Sequence, residues 1–338
     1  MLMMKVVLRI WLLLFACALL LIATAQAWGI VQHGPVLTYH IGETGAFMSI
    51  QTHDVRTNVR YPLVQHQRNL MPQWSPDGAQ LVYLRYRGQE VDLTLWDATG
   101  RASSLLVRDV LVGATPQWSP DGRRIALTME DEGQLDLYAV EAANGAQIQL
   151  TDSNSVQAFQ WLPDSRRLLL QMQDEAGQVQ AYMIALAAPL QLIPLDARLG
   201  TNLRTLSPDG RYFLEVEAQT LYRVNRQSLR RFALHDSLPQ YTNLAWAAHS
   251  QQIAFSSIVA DKLQWALYTL RVDGSDLQRL LTINSEILAI AWSPDKMQLM
   301  LMTGNALRRQ VYVVNADGSH LRQLAVGHMP NSAPAWQP

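Results

Sequence analysis

Cysteine is nearly missing: Cys17 is the single one in 338 residues. It lies in an amino-terminal apolar run, so a chain that loses this run has no disulfide, no thiolate zinc site and no cysteine nucleophile. Charge is sparse at 16% and close to balanced, with 27 basic against 28 acidic side chains, which excludes a polycationic nucleic-acid binder. The hydrophobic share of 49% is too high for a disordered tail, and one apolar run is too few for a polytopic membrane protein. Several catalytic signatures are missing as well. There is no Gly-x-Ser-x-Gly elbow, P-loop, Gly-x-Gly-x-x-Gly, His-Glu-x-x-His or EF-hand loop. No Asn-x-Ser/Thr acceptor occurs either.

The amino end carries an address. Lys5 and Arg9 precede an uncharged run from Ile10 to Ile22, and Ala25-Gln26-Ala27 fits the small-residue rule for cleavage. Residues 1–27 read as a secretory signal cut before Trp28, with 28–338 as the mature chain. The competing reading is an uncleaved anchor, because Val6 to Ile22 spans 17 residues and barely reaches bilayer length. Lipidation at Cys17 fits poorly, since the apolar run continues past it. Removing Lys5 and Arg9 leaves 25 basic against 28 acidic residues, a net charge of −3, so no general pull toward nucleic acid or anionic lipid is expected. Membrane contact is expected only if the segment stays attached.

What is present is a repeat. Trp74-Ser-Pro-Asp-Gly78, Trp118-Ser-Pro-Asp-Gly122, Trp161-Leu-Pro-Asp-Ser165, Leu206-Ser-Pro-Asp-Gly210, Trp246-Ala-Ala-His-Ser250, Trp292-Ser-Pro-Asp-Lys296 and Trp336-Gln-Pro338 recur at steps of 44, 43, 45, 40, 46 and 44 residues. Tyr138, Tyr182, Tyr222, Tyr268 and Tyr312 keep the same rhythm. Pro-Asp-Gly is a tight-turn signal, because Pro fixes φ, Asp bonds nearby amides and Gly accepts positive φ. One strand must therefore end at each Trp and another begin after each Gly. Alternating residues such as Ile125, Leu127 and Met129 mark the second strand, and segments such as Leu135 to Val140 and Gln310 to Asn315 the third.

Four short strands in about 44 residues predict the blade of a β-propeller. The Trp-Ser-Pro-Asp-Gly pattern resembles the propeller repeat of the TolB family, also called WD40-like or PD40, from about Met71 to the end of the chain. Trp96-Asp97 matches the dipeptide of true WD40 repeats, but the remaining units lack it. The lone strand at 333–338 and three strands near Val36 to Ile41, Ala46 to His53 and Thr57 to Val64 add up to a seventh blade shared by both ends. The expected fold is thus all-β: a seven-bladed propeller of four-stranded blades, closed by amino-terminal strands plus the carboxy-terminal strand. TolB proper carries an α/β domain ahead of its propeller. Here Trp28 to Pro35 alone separates the signal from the first strand, so the expectation is a propeller by itself.

The repeated Asp77, Asp121, Asp164, Asp209 and Asp295 read as turn formers, and the repeated Trp and Tyr as packing between blades. Propeller topology sets the Pro-Asp-Gly turns on one face. The loops from second to third strand and from blade to blade open on the other. That loop face gathers His40, His66, His235 and His328, with Gln67 and Asp236 nearby. The TolB-type superfamily includes oligogalacturonate lyases, which bind a metal through loop histidines. The resemblance implies a divalent-metal site at His66, His235 and His328, with Arg85 or Arg308 holding a uronate carboxylate during β-elimination. The other reading needs no cofactor. Acidic loops at Glu130, Asp131, Glu132, Asp174 and Glu175 and a basic one at Arg308 and Arg309 would orient an envelope protein partner. The expectation carried forward is an exported, periplasmic or secreted, non-catalytic binding module, with the metal enzyme as its rival.

Overall fold

The computed structural model describes residues 36–338 except 42–48, 65–67, 99–101, 112–113, 132–133, 153–154, 175, 188–189, 197–205, 260–263, 306–307 and 328–333. The amino-terminal signal reading lies outside the described residues. Every regular element among them is a strand, 27 in all, arranged in seven antiparallel sheets. No helix of the described residues is long and apolar enough to cross a membrane.

Blade 1 orders Ala335–Trp336, Val36–Ile41, Ser49–Asp54 and Val59–Val64. The carboxy-terminal strand pairs Trp336 with Leu37 and Ala335 with Thr38, which closes the ring as the repeat arithmetic requires. Such closure leaves no long free edge at the junction. Blade 2 follows as Arg68–Trp74, Gln80–Arg87, Glu90–Asp97 and Ala102–Val107, and blades 3, 4, 6 and 7 occupy 117–149, 156–194, 242–283 and 287–327. Blade 5 is the irregular one. Its sheet has three strands over 212–235, and a single bridge from Leu206 to Phe213 stands where the innermost strand runs elsewhere. The shortest repeat step and the missing Trp fall on this same blade.

Each turn is built by its own signature. Ser75 Oγ donates to Asp77 Oδ1 at 2.6 Å while the Ala79 amide donates to the same oxygen at 3.0 Å and the Gln80 amide to Ser75 Oγ at 2.9 Å. Ser119 with Asp121, Ser207 with Asp209 and Ser293 with Asp295 repeat the pattern. The aspartates are therefore turn formers.

The tryptophans join blade to blade. Trp118 Nε1 donates to the Gln73 carbonyl at 3.0 Å, Trp161 to Gln117 at 3.1 Å, Trp292 to Ala245 at 3.2 Å and Trp336 to Ala291 at 3.2 Å. In each case the acceptor is the residue before the previous blade's Trp, so in blades 1, 3, 4 and 7 one indole donor satisfies a backbone oxygen of the neighbouring blade. Trp74 departs by donating to Thr38 Oγ1 at 2.7 Å. Apolar residues on both faces of each sheet fill the seams. Leu37 and Tyr39 of blade 1 pack against Met300, Met302, Val311, Val313 and Leu324 of blade 7. Fully burying one such side chain contributes roughly 1.5–3 kcal/mol.

The blade 1/blade 7 seam also holds a histidine. His53 is fully buried, its Nε2 bonded to Asn58 Oδ1 at 2.9 Å and its Nδ1 without a hydrogen-bond partner. Two arginines cross the seam beside it, Arg60 to the Leu324 carbonyl and Arg322 to the Val55 carbonyl.

Candidate functional site

On the loop face, a charge cluster sits on the hairpin of blade 2. Asp92 is fully buried and takes Arg87 Nε at 2.6 Å and an Arg85 nitrogen at 3.3 Å, while Arg87 also meets Glu90 at 3.1 Å and Asp109 at 3.8 Å. Burial alone would raise the Asp92 carboxyl. The bonds from Arg87 and Arg85 outweigh it and hold the group below its ordinary range. Arg85, expected to be available to a uronate, is thus committed to Asp92.

The remaining loop-face candidates are spread around the ring. Glu130 is exposed on blade 3, Asp174 on blade 4 and Arg308 on blade 7. Asp174 accepts the Gln178 amide at 2.7 Å. Arg309 is 8% exposed, so the Arg308-Arg309 pair does not present two charges to solvent. His235 ends a strand of blade 5 and shares a 2.7 Å hydrogen bond between Nδ1 and the Tyr241 hydroxyl. His66, His328, Gln67, Glu132 and Glu175 lie outside the described residues, as do the side chains of His40 and Asp131. Of the three proposed metal ligands, His235 alone lies among the described residues.

The turn face carries a concave site instead. A cleft of about 420 Å³ opens between blades 1 and 2, lined by Val36, Thr52, Asp54, Tyr61, Pro62, Leu63, Trp74, Trp96, Ala98 and Gln337. The Trp96 ring meets Trp74 edge-on, 6.0 Å between centroids at 83°. Tyr61 is 52% exposed on the opposing blade. Behind them, Thr52 Oγ1 donates to the Tyr61 carbonyl at 3.2 Å, and Asp54 Oδ1 accepts the Arg56 and Thr57 amides at 2.9 Å each. Burial pushes the Asp54 carboxyl up, but these amide bonds bring it below its ordinary value. The polar groups thus fix the walls, and the aromatic faces are left for an apolar guest. A second cleft of about 390 Å³, lined by Arg56, Asp295, Met297, Gln298, Asn315, Ala316 and Asp317, lies between blades 7 and 1.

The sequence reading missed the aromatic cleft although a signal for it exists. Across from Leu81 stands Trp96, whereas the corresponding places in blades 3 to 7 hold Val140, Ile184, Val224, Leu270 and Val314. Trp96 is thus a departure from the repeat at a seam, which is where a site can be added without cost to the common core.

A velcro-closed, seven-bladed ring whose turns follow the Trp-Ser-Pro-Asp-Gly rule defines a TolB-type propeller. The chain belongs to the TolB beta propeller domain family (PD40), whose model matches residues 40–286. No curated protein matches it. Among solved structures it is similar to TolB from Acinetobacter baumannii, with a TM-score of 0.51, 14% identity, and coverage of 90% of this chain and 67% of that one. An oligogalacturonate lyase in complex with manganese gives 0.56 at 10% identity, over 86% of this chain and 84% of the lyase. The β-propeller domain of the Trilobed protease from Pyrococcus furiosus gives 0.56 at 11% identity, over 77% of this chain and 86% of that domain. At these identities the likeness is one of fold.

Proposed function

We propose that this propeller is an exported, non-catalytic protein-binding module of the bacterial cell envelope, with residues 1–27 as a removed secretory signal and 28–338 as the working domain. The aromatic cleft between blades 1 and 2 carries the reading. Tyr61 and Trp96 both line this preformed concavity, and large rigid aromatics around a desolvatable pocket are the side chains that concentrate binding energy at protein interfaces. An apolar side chain of a partner segment fits such a pocket. The charged loop face, with Glu130, Asp174 and Arg308 exposed on different blades, would then steer approach and orientation. The family relationship to TolB supports an extracytoplasmic setting.

Photo-crosslinking tests this in cells. A photoreactive residue at Tyr61 should give one defined protein adduct that disappears when Trp96→Ala is added, while the same residue at Val216, exposed on blade 5, should not. No adduct at Tyr61, or an equal one at both positions, overturns the proposal.

A further inference from the structure

Arginine follows the signature turn in three consecutive blades: Arg123 and Arg124 in blade 3, Arg166 and Arg167 in blade 4, and Arg211 in blade 5. The same places in blades 2, 6 and 7 hold Ala79-Gln80, Gln251-Gln252 and Met297-Gln298. The next turn of blade 5 adds Arg226 and Arg230 on the same face.

These turns are in contact, so the arginines form one patch. The Asp121 amide donates to Ser165 Oγ at 2.9 Å, joining the turns of blades 3 and 4. Gly210 abuts Pro163 so closely that an added Cβ would stand 2.8 Å from its ring, joining blades 4 and 5. The Arg226 amide donates to the Arg211 carbonyl at 2.8 Å, and its Nε to the Gly210 carbonyl at 2.8 Å.

The acids within the patch are already engaged. Asp121 accepts Ser119 Oγ and the Arg123 amide, Asp164 accepts Arg167 Nε at 2.6 Å, Asp209 accepts Ser207 Oγ at 2.6 Å, and Glu141 holds Arg124 at 2.6 Å. Arg123, Arg166 and Arg230 are exposed with no carboxylate in ion-pair range among the described residues, and Arg211 reaches Asp209 only at 3.9 Å. Arg226 is held half-buried, where burial and then the neighbouring Arg167 disfavour its charge and outweigh the nearby Asp164, which favours it. An approaching anion would relieve that repulsion. All seven are arginines, whose planar fork matches a carboxylate with two parallel bonds.

We infer that the turn face of blades 3 to 5 docks an acidic polypeptide segment, with carboxylates seated on Arg123, Arg166, Arg211 and Arg230. A peptide fits better than an anionic bilayer because Asp121, Asp164 and Asp209 interleave the cations. A continuous plane of phosphates would meet those acids, whereas side chains spaced along an extended strand pass between them. The patch lies on other blades than the aromatic cleft, so it stands or falls independently of the function proposed above.

The probe is a fluorescein-labelled peptide rich in Asp and Glu, followed by anisotropy at low salt, about 50 mM. Arg166→Glu/Arg230→Glu is compared with Arg108→Glu/Arg279→Glu, which changes net charge equally at exposed positions elsewhere, after both are shown to melt as the native chain does. We expect binding by the native chain, a loss of about tenfold or more in the first variant, and a change within about twofold in the second. Equal losses would reduce the effect to net charge and overturn the inference. So would an absence of peptide binding, whether or not phosphatidylglycerol vesicles are bound instead.

Discussion

The Gln337 side-chain amide donates to the Gly78 carbonyl at 2.8 Å, and the Gln337 backbone amide donates to the Val36 carbonyl at 2.8 Å. The last residues of the chain thus hold two blades at once. Deleting residues 333–338 removes the inner strand of blade 1 and the Trp336 indole bond to Ala291 together. The expected result is a lower and broader thermal transition, because the blade 1/blade 7 seam becomes a free end. An unchanged melting curve by circular dichroism would rule out closure as the source of cooperativity.

Trp161 is 3% exposed and its indole satisfies the Gln117 carbonyl. Trp161→Phe keeps an aromatic ring but removes that donor, so the lost hydrogen bond should cost about 0.5–1.5 kcal/mol in urea unfolding. Leu206 occupies the equivalent place in blade 5 and has no such donor. A loss indistinguishable from zero for Trp161→Phe would leave the indole bonds without an energetic role.

Acid should loosen the ring at His53. Burial lowers the His53 pKa from its ordinary 6.5, helped by Arg60 and Arg322 and opposed by the Asn58 bond and by Asp54. A depressed folded-state pKa means the unfolded chain binds the proton more readily. The histidine's contribution is then complete above about 6.5 and shrinks as pH falls from there toward the folded value. The difference in melting temperature between the native chain and His53→Gln, measured from pH 7.5 to 5.5, should change with pH in that direction. A constant difference would show that His53 does not titrate differently on folding.

The proposed function requires no metal. The purified chain from residue 28, offered manganese, calcium and zinc and then desalted, should retain less than about a tenth of an equivalent by elemental analysis. About one equivalent that is lost in a His66→Ala/His328→Ala variant would instead support the lyase-like enzyme and direct attention to acidic glycans.

Strand order, blade count and closure were all legible in the sequence, because Trp, Pro-Asp and Gly act locally and recur at steps of 40 to 46 residues. Val36–Ile41 and Val179–Ala185 fall where alternation and turns place them. The sites were less legible for two physical reasons. Charge doublets were read as one environment, yet Arg308 is exposed while Arg309, the first residue of its strand, is buried. Local proximity does not make two side chains share a surface. Arg85 looked available because its partner Asp92 lies seven residues on and meets it only through strand pairing. The aromatic cleft is lined by Tyr61 of one blade and Trp96 of the next, a combination that no single repeat contains.

Ring closure also gives the molecule a direction. Val36 begins its strand, and Gln337 follows the closing strand, at the same side of the ring, and both line the aromatic cleft. The pairing that seals the propeller therefore also brings the start of the first described strand and the last residues of the chain out together on the turn face, beside the cleft.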